Sequence, residues 1–427
     1  MINTVITALE EYGEYMKITK RFSVETLMRK LEPIHIENYE KRKNEVPRIL
    51  VIHGGGVGDF VLFSATLREI RRIYEGAYIT LLVCTSALDL AETCPYVNAV
   101  INCDFLHDIY TDNPICYDKC TEFIRRNFTE TFDISFNYSC CFSGCLLAYM
   151  SGARTRFLYI DSWYWEFFNL QIAYGYAEAL STELPPRQTY SPHVVDLYLS
   201  VLDNMLHTFV SNREIEVWYT PEDEAVINSM VSRKGTDKYI ALCMGGLGGF
   251  KSYPPEKYAK LLQRIFSNDE NIYVVIIGGS AEKEAGAFVT SQLPYDRVYN
   301  LTGKITFRQT AALLAKCDYY IGNDTSCMHI AAAVKLPVLT VFSYPVDRER
   351  EECSVVDRYY PYHVPAVAIQ PQKTLPECRQ AGSKVHKIFG CFSNKPHCIT
   401  QIEVEEMYKG WKKLSALYRN NLNELSL

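Results

Sequence analysis

Residues 47–83, PRILVIHGGGVGDFVLFSATLREIRRIYEGAYITLLV, decide the fold class. Ile49, Leu50, Val51 and Ile52 make an apolar run of strand length, and glycines at 54, 55, 56 and 58 end it. Val61, Leu62, Leu67, Ile70 and Ile73 then recur at the spacing of one helical face, and a second apolar run closes at Val83. Strand, glycine turn, amphipathic helix and strand form the unit of a parallel sheet, because neighbouring strands of one direction need a crossover between them. The same order is written again over residues 238–279, KYIALCMGGLGGFKSYPPEKYAKLLQRIFSNDENIYVVIIGG. Two such openings predict an α/β protein with two Rossmann-like, doubly wound parallel-sheet domains.

The rest of the chain divides around them. Residues 1–46 carry acidic and basic side chains in equal number and predict an N-terminal helical extension with no preference for acidic lipid. The first domain is expected over 47–215 and the second over 239–400. A linker over 216–238 lies between, where turn residues flank a charged helix. In 401–427, Ile402, Val404, Met407, Trp411 and Leu414 fall at roughly helical spacing, so this tail is expected to pack back on the body as a helix.

Composition narrows the function. Hydrophobic residues make up 48% and charged residues 22% of the 427, ordinary values for a globular protein. A net charge of -6 argues against a grip on nucleic acid, so no nucleic-acid partner is expected. The fifteen cysteines are scattered irregularly, and the N-terminus lacks the basic-then-apolar order of a secretory signal, which predicts a reducing, cytoplasmic setting. No apolar run approaches the ~18–20 residues of a membrane span. Membrane contact is therefore expected to be at most peripheral, at the inner face of the cytoplasmic membrane.

Four stretches carry chemistry. In HGGGVGDF, Gly54, Gly55, Gly56 and Gly58 permit close backbone approach by a ligand, and Asp59 follows as the helix opens. Asp59 has two readings: a helix cap, or a carboxylate at the ligand-binding edge of a parallel sheet that takes a proton from a substrate hydroxyl. In MGGLGGFKSYPPEKYAKLL, glycines at 245, 246, 248 and 249 precede Lys251, a loop able to cradle a diphosphate with Lys251 as its point charge. It is not a Walker motif, since no Ser or Thr follows the lysine at the required place. Gly278, Gly279 and Glu282 follow the next strand, where a carboxylate can hold ribose hydroxyls or simply sit at a helix start. Finally, CDYYIGNDTSCMHIAAA places Asp324, Thr325 and Ser326 at the cap and first turn of an alanine-rich helix. Its free N–H groups and positive dipole end suit a diphosphate, with Asp324 turned to sugar hydroxyls. His329 is either part of that site or a buried structural histidine.

With these stretches in order, the chain resembles glycosyltransferase family 9, the ADP-heptose:lipopolysaccharide heptosyltransferases, from about Arg48 to Lys412. The likeness includes GDFVLFSATLREIRRIY, FDISFNYSCCFSGCLLAYMSGARTRF, GGFKSYPPEKYAKLL, VVIIGGSAE and LTGKITFRQTAALLAKCDYYIGNDTSCMHIAAAVKLPVLTVF. It implies a GT-B fold, two Rossmann-like domains facing across a cleft. It implies Asp59 as general base beside Gly58 and Lys251 as diphosphate ligand. Glu282, after Gly278 and Gly279, would be the ribose ligand, and Ile305 would pack on the base. Asp324 would hold the donor sugar, Thr325 and Ser326 would offer backbone N–H groups to the phosphates, and His329 completes the motif. The chain departs from the family pattern at Ala65, Tyr253 and Ser326, none of which removes a charge that the chemistry needs.

The implied reaction is inverting transfer of a sugar, heptose from ADP-heptose, to a hydroxyl of a saccharide or lipid-linked saccharide acceptor such as lipopolysaccharide core. No aspartate pair of the D-x-D kind lies near these motifs, so no cofactor is expected to be required. Two other readings share the architecture: an enzyme using another nucleotide sugar or a protein acceptor, or an epimerase with a second acid/base set, and a non-catalytic sugar-nucleotide-binding protein in which Asp59 is only a cap. Separately, Cys353, Cys378, Cys391 and Cys398 near the C-terminus are candidates for a structural zinc or iron site, with reduced, unliganded thiols as the alternative. Cys140, Cys141 and Cys145 read as small apolar packing in a helix.

Overall fold

The computed structural model describes residues 46–106, 115–139, 141–159, 181–182, 193–210, 212–233, 235, 237–246, 250–348, 354–376 and 397–424. The expected N-terminal helical extension lies outside them. Among the described residues the chain forms two parallel sheets. The first contains β1 (Arg48–His53), β2 (Tyr78–Val83), β3 (Ala99–Asn102), β4 (Ile134–Asn137) and β5 (Thr155–Leu158), in the order β3-β2-β1-β4-β5. The second contains β6 (Lys238–Cys243), β7 (Ile272–Ile277), β8 (Val298–Asn300), β9 (Tyr319–Asn323), β10 (Val338–Val341) and β11 (Ala366–Ile369), in the order β11-β10-β9-β6-β7-β8. In each, the order reverses beside the first strand, β1 or β6, which leaves a crevice at the carboxyl ends of the strands.

The crossovers are helical. In the first half they are α1 (Val57–Ile73), α2 (Leu88–Ala91), α3 (Ile115–Asn127), α4 (Phe142–Met150) and α5 (Val194–Met205). After the connecting helix α6 (Pro221–Met230), the second half adds α7 (Pro255–Phe266), α8 (Lys283–Ser291), α9 (Phe307–Leu314), α10 (Ser326–Ala333) and α11 (Val355–Tyr359). Helix α6 starts where its sequence dictates. Pro221 takes the first turn, the Thr220 hydroxyl accepts from Asp223 N–H at 3.3 Å, and the Asp223 carboxylate accepts from Thr220 N–H at 3.0 Å.

The period of two along each first strand assigns its faces. In β1, Ile49 and Val51 enter one apolar cluster while Leu50 and Ile52 enter another on the opposite face. In β6, Tyr239, Ala241 and Cys243 join the same cluster as Ile49 and Val51, whereas Ile240 and Leu242 face away. The two sheets therefore share one core, filled by α1, α5, α9 and α10, and α1 packs directly on α10. Arg308 at the start of α9 fixes this arrangement at its rim: its backbone N–H donates to Asp89 of α2 at 3.0 Å, and its guanidinium lies 3.3 Å from both Asp89 and Asp223.

The tail forms α12 (Val404–Glu424), which packs on α7, β10 and β11. Met407, Trp411 and Leu414 are buried there, and Trp411 meets Tyr319 edge-on with ring centroids 4.8 Å apart. Among the described residues no helix is long and apolar enough to cross a membrane.

Candidate active site between the two sheets

Asp59 sits in the first turn of α1, and its Oδ2 accepts a hydrogen bond from Gly56 N–H at 3.2 Å. The capping role is thus realised in the structure, through a carboxylate that also stands at the carboxyl edge of β1. Gly55 must be glycine for this turn to close: a Cβ there would lie 2.5 Å from Asp59 Cβ and 2.9 Å from the His53 ring.

On the other side, three strand ends of the second sheet converge. Beyond β7, Gly278 has φ +153, which favours glycine, and a side chain there would run into Glu282. A Cβ on Gly245, at the end of β6, would lie 3.0 Å from the Glu282 carboxyl carbon. Glu282 therefore spans the ends of β6 and β7. Lys251 folds back over Gly246 and places its Nζ 2.7 Å from Asp324 Oδ2, just after β9. Gly248 and Gly249 of the glycine loop lie outside the described residues. Thr325 is the N-cap of α10 and makes no side-chain cap bond, while its carbonyl accepts from Met328 N–H at 3.0 Å, so the N–H groups of Ser326 and Cys327 stand at the open end of the helix.

The two sides touch. A Cβ on Gly58 of α1 would come within 3.0 Å of His329 Cδ2 and 3.4 Å of Ser326 Cα, so the N-terminal turns of α1 and α10 are in van der Waals contact. His329 is buried, its Nδ1 has no hydrogen-bond partner among the described residues, and burial holds its pKa down at about 4. It is therefore a neutral imidazole near neutral pH. Both readings of this histidine meet here, since it is buried and also lies at the seam.

The structure brings Asp59, Gly58, Lys251, Asp324, Thr325, Ser326 and His329 into one region. Gly278, Gly279 and Glu282 line the same strand edge, and half-buried Ile305 packs against the shared core one strand further out. Asp324 is buried and paired with Lys251, a contact that the sequence expectation did not include.

Sequence reasoning missed several neighbours. Tyr359 of α11 has its phenol pKa raised by burial, with Arg358 opposing the shift and the charges of Asp59 and Asp324 adding to it. Cys243 and Cys327 lie beneath the loop. The two thiols interact, which lowers the pKa of Cys243 and, together with burial, raises that of Cys327. Asn323, the last residue of β9, is fully buried. None of these carries a local signal beyond its position beside a recognisable motif.

Comparison with known proteins bears on the family and the fold. The family model of glycosyltransferase family 9 (heptosyltransferase) matches residues 173–385. The chain belongs to glycosyltransferase family 9. It is a glycosyltransferase of the GT-B fold. It is 23% identical over 358 residues to lipopolysaccharide heptosyltransferase 2 of Escherichia coli, covering 77% of this chain and 97% of that one. A family 9 glycosyltransferase structure from Veillonella parvula superposes with a TM-score of 0.65 at 20% identity, covering 86% of this chain and 97% of the other. An E. coli heptosyltransferase structure with ADP-2-deoxy-2-fluoro heptose has a TM-score of 0.56 at 14% identity, covering 86% and 99%.

Of the cysteines considered as metal ligands, Cys353, Cys378 and Cys391 lie outside the described residues. Cys398 is buried with its Sγ 3.4 Å from His397 Nδ1. Among the described residues no group of three or more His, Cys, Asp or Glu side chains is arranged to hold a metal ion.

Proposed function

We propose that this glycosyltransferase moves a heptose from ADP-heptose to a hydroxyl of a lipopolysaccharide-core saccharide, with inversion at the anomeric carbon. One observation carries the reading: Gly58, next to Asp59, touches Ser326 and His329, so the candidate base and the candidate diphosphate cradle adjoin. Asp59 accepts the proton of the acceptor hydroxyl as its oxygen attacks the anomeric carbon. The nucleoside diphosphate departs toward Lys251 and the N-terminus of α10, where an ammonium and oriented N–H groups meet the developing negative charge. Glu282 holds the ribose, Ile305 lies against the base and Asp324 holds the departing sugar. The donor assignment draws support from relatives named as heptosyltransferases and from the nucleotide-sugar analogue bound to one of them.

The reaction is placed on the inner face of the cytoplasmic membrane, with peripheral contact only. The test is to incubate the protein with ADP-, UDP- and GDP-sugars and a truncated lipopolysaccharide core, following nucleoside diphosphate release and the anomeric configuration of the product by NMR. Transfer of heptose from ADP-heptose with inverted configuration is the expected result. A preference for a UDP-sugar would remove the donor assignment, and retention of configuration would remove the single-displacement mechanism.

A further inference from the structure

Asn323 has no exposed surface, and all four hydrogen-bonding capacities of its side-chain amide are used. Its Nδ2 donates to the Met244 carbonyl at 2.6 Å and to the Gly245 carbonyl at 2.9 Å. Its Oδ1 accepts from the Tyr258 hydroxyl at 2.7 Å and from Tyr253 N–H at 3.3 Å. Met244 and Gly245 open the loop that carries Lys251, and Tyr253 closes it. One side chain therefore grips both feet of that loop. The next residue, Asp324, holds the loop's lysine at 2.7 Å.

We propose that Asn323 is the positioning residue of the donor loop: it sets where Lys251 stands relative to the end of β9, and so sets affinity for the nucleoside diphosphate. The inference rests on the donor-site reading above. Its physical basis is that the loop's carbonyls and amide would otherwise be buried without partners, so the loop has one low-energy seating. Two donors and two acceptors are required on one planar group, and only an amide supplies both. The Tyr258 hydroxyl and Tyr253 N–H decide which way that amide faces.

Asn323→Asp tests this with almost no change of shape. A carboxylate turns two donors into acceptors facing the Met244 and Gly245 carbonyls, which repel it. The expected result is faster amide hydrogen exchange at Gly245, Gly246 and Tyr253, with exchange in β1 and α1 unchanged. ADP affinity should fall ten- to a hundredfold, and the donor KM should rise while the acceptor KM does not. Unchanged exchange at these amides overturns the proposal, as does faster exchange with ADP affinity intact. Lys251→Ala, measured alongside, separates the two levels: if it loses ADP while Asn323→Asp does not, the site stands and the positioning role falls. If neither loses ADP, the donor site itself is misassigned. Should Asn323→Asp fail to fold, Tyr258→Phe removes a single donor to Oδ1. It should raise the donor KM severalfold and loosen the same amides, and no change in either measurement overturns the proposal.

Discussion

Lys251 Nζ lies 2.7 Å from Asp324 Oδ2, joining the glycine loop after β6 to the cap of α10 across 73 residues of sequence. The pair holds the cradle shut on itself. A diphosphate that engages Lys251 must compete with a buried carboxylate, and a sugar hydroxyl that engages Asp324 must compete with the lysine.

Opposite signs follow for the two ligands when Asp324 is removed. Asp324→Ala frees Lys251 and deletes a negative charge beside the phosphates, so affinity for ADP should hold or rise. Affinity for the nucleotide sugar should fall, because hydrogen bonds to a charged partner contribute roughly 1.5 to 3 kcal/mol, about ten- to a hundredfold. Lys251→Ala should weaken both ligands together. Titration calorimetry of the two variants with ADP and ADP-heptose checks this, and equal losses for both ligands in Asp324→Ala would end the sugar-holding role.

Asp59→Asn separates capping from catalysis. The asparagine carbonyl can still accept Gly56 N–H, so melting temperature and ADP affinity should stay close to the parent. Turnover should drop by roughly 10² to 10⁴, the usual contribution of a general base. Steady-state rates at saturating substrate decide between the roles, and full turnover in this variant would leave Asp59 as a cap only.

At the seam between the helices, Gly58→Ala adds a methyl 3.0 Å from His329 Cδ2 and 3.4 Å from Ser326 Cα. The second is ordinary van der Waals contact, whereas the first presses on a buried ring that must give by a few tenths of an ångström. Overpacking of this kind costs about 1 to 3 kcal/mol. The expected outcome is a lower melting temperature and reduced kcat/KM for transfer, with ADP affinity nearly unchanged, since the proposed ADP ligands all belong to the second sheet. Parent-like kinetics would show that this contact is not used in the reaction.

Two histidines, His329 buried and His193 half-buried, make stability pH-dependent. His193 caps α5: its Nδ1 accepts Val195 N–H at 3.2 Å, and its Nε2–H donates to the Tyr360 carbonyl at 2.8 Å. Burial, the largest cause, lowers its pKa to about 4, as it does for His329. A folded-state pKa below the unfolded value of ~6.5 means that the unfolded chain binds more protons between those limits. Stability from both residues is therefore full above about pH 6.5 and is lost as pH falls toward 4. Each contributes a slope of up to about 1.4 kcal/mol per pH unit. Denaturant melts at pH 7, 6 and 5 should show the decline, and His193→Gln should flatten it; an unaltered slope in the variant would place the dependence elsewhere.

Much of this protein was legible from local pattern. The run Ile49–Ile52, the glycines after it and the spacing of Val61 to Ile73 determine a strand, a turn and a helix through contacts within a few residues. Writing the unit twice determines two parallel sheets. The helical spacing of Met407, Trp411 and Leu414 likewise marks α12, because its buried stripe is a periodicity. The site motifs were readable for the same reason: Asp59, Lys251, Glu282 and Asp324 each stand where a strand ends and a helix begins.

Tertiary structure alone decided which of them meet. Nothing in the spacing of Lys251 and Asp324 says that they pair; that follows from β6 and β9 lying side by side, since Cys243 registers with Gly322. Asn323 looks like any turn asparagine until Met244, Gly245, Tyr253 and Tyr258 are folded around it. The contact of Gly58 with Ser326 and His329 depends on two sheets sharing one core, a property of neither half's periodicity. Sequence patterns record interactions within a turn or a pleat of the residue concerned, whereas contacts between residues far apart along the chain are set by how complete apolar faces are buried against each other.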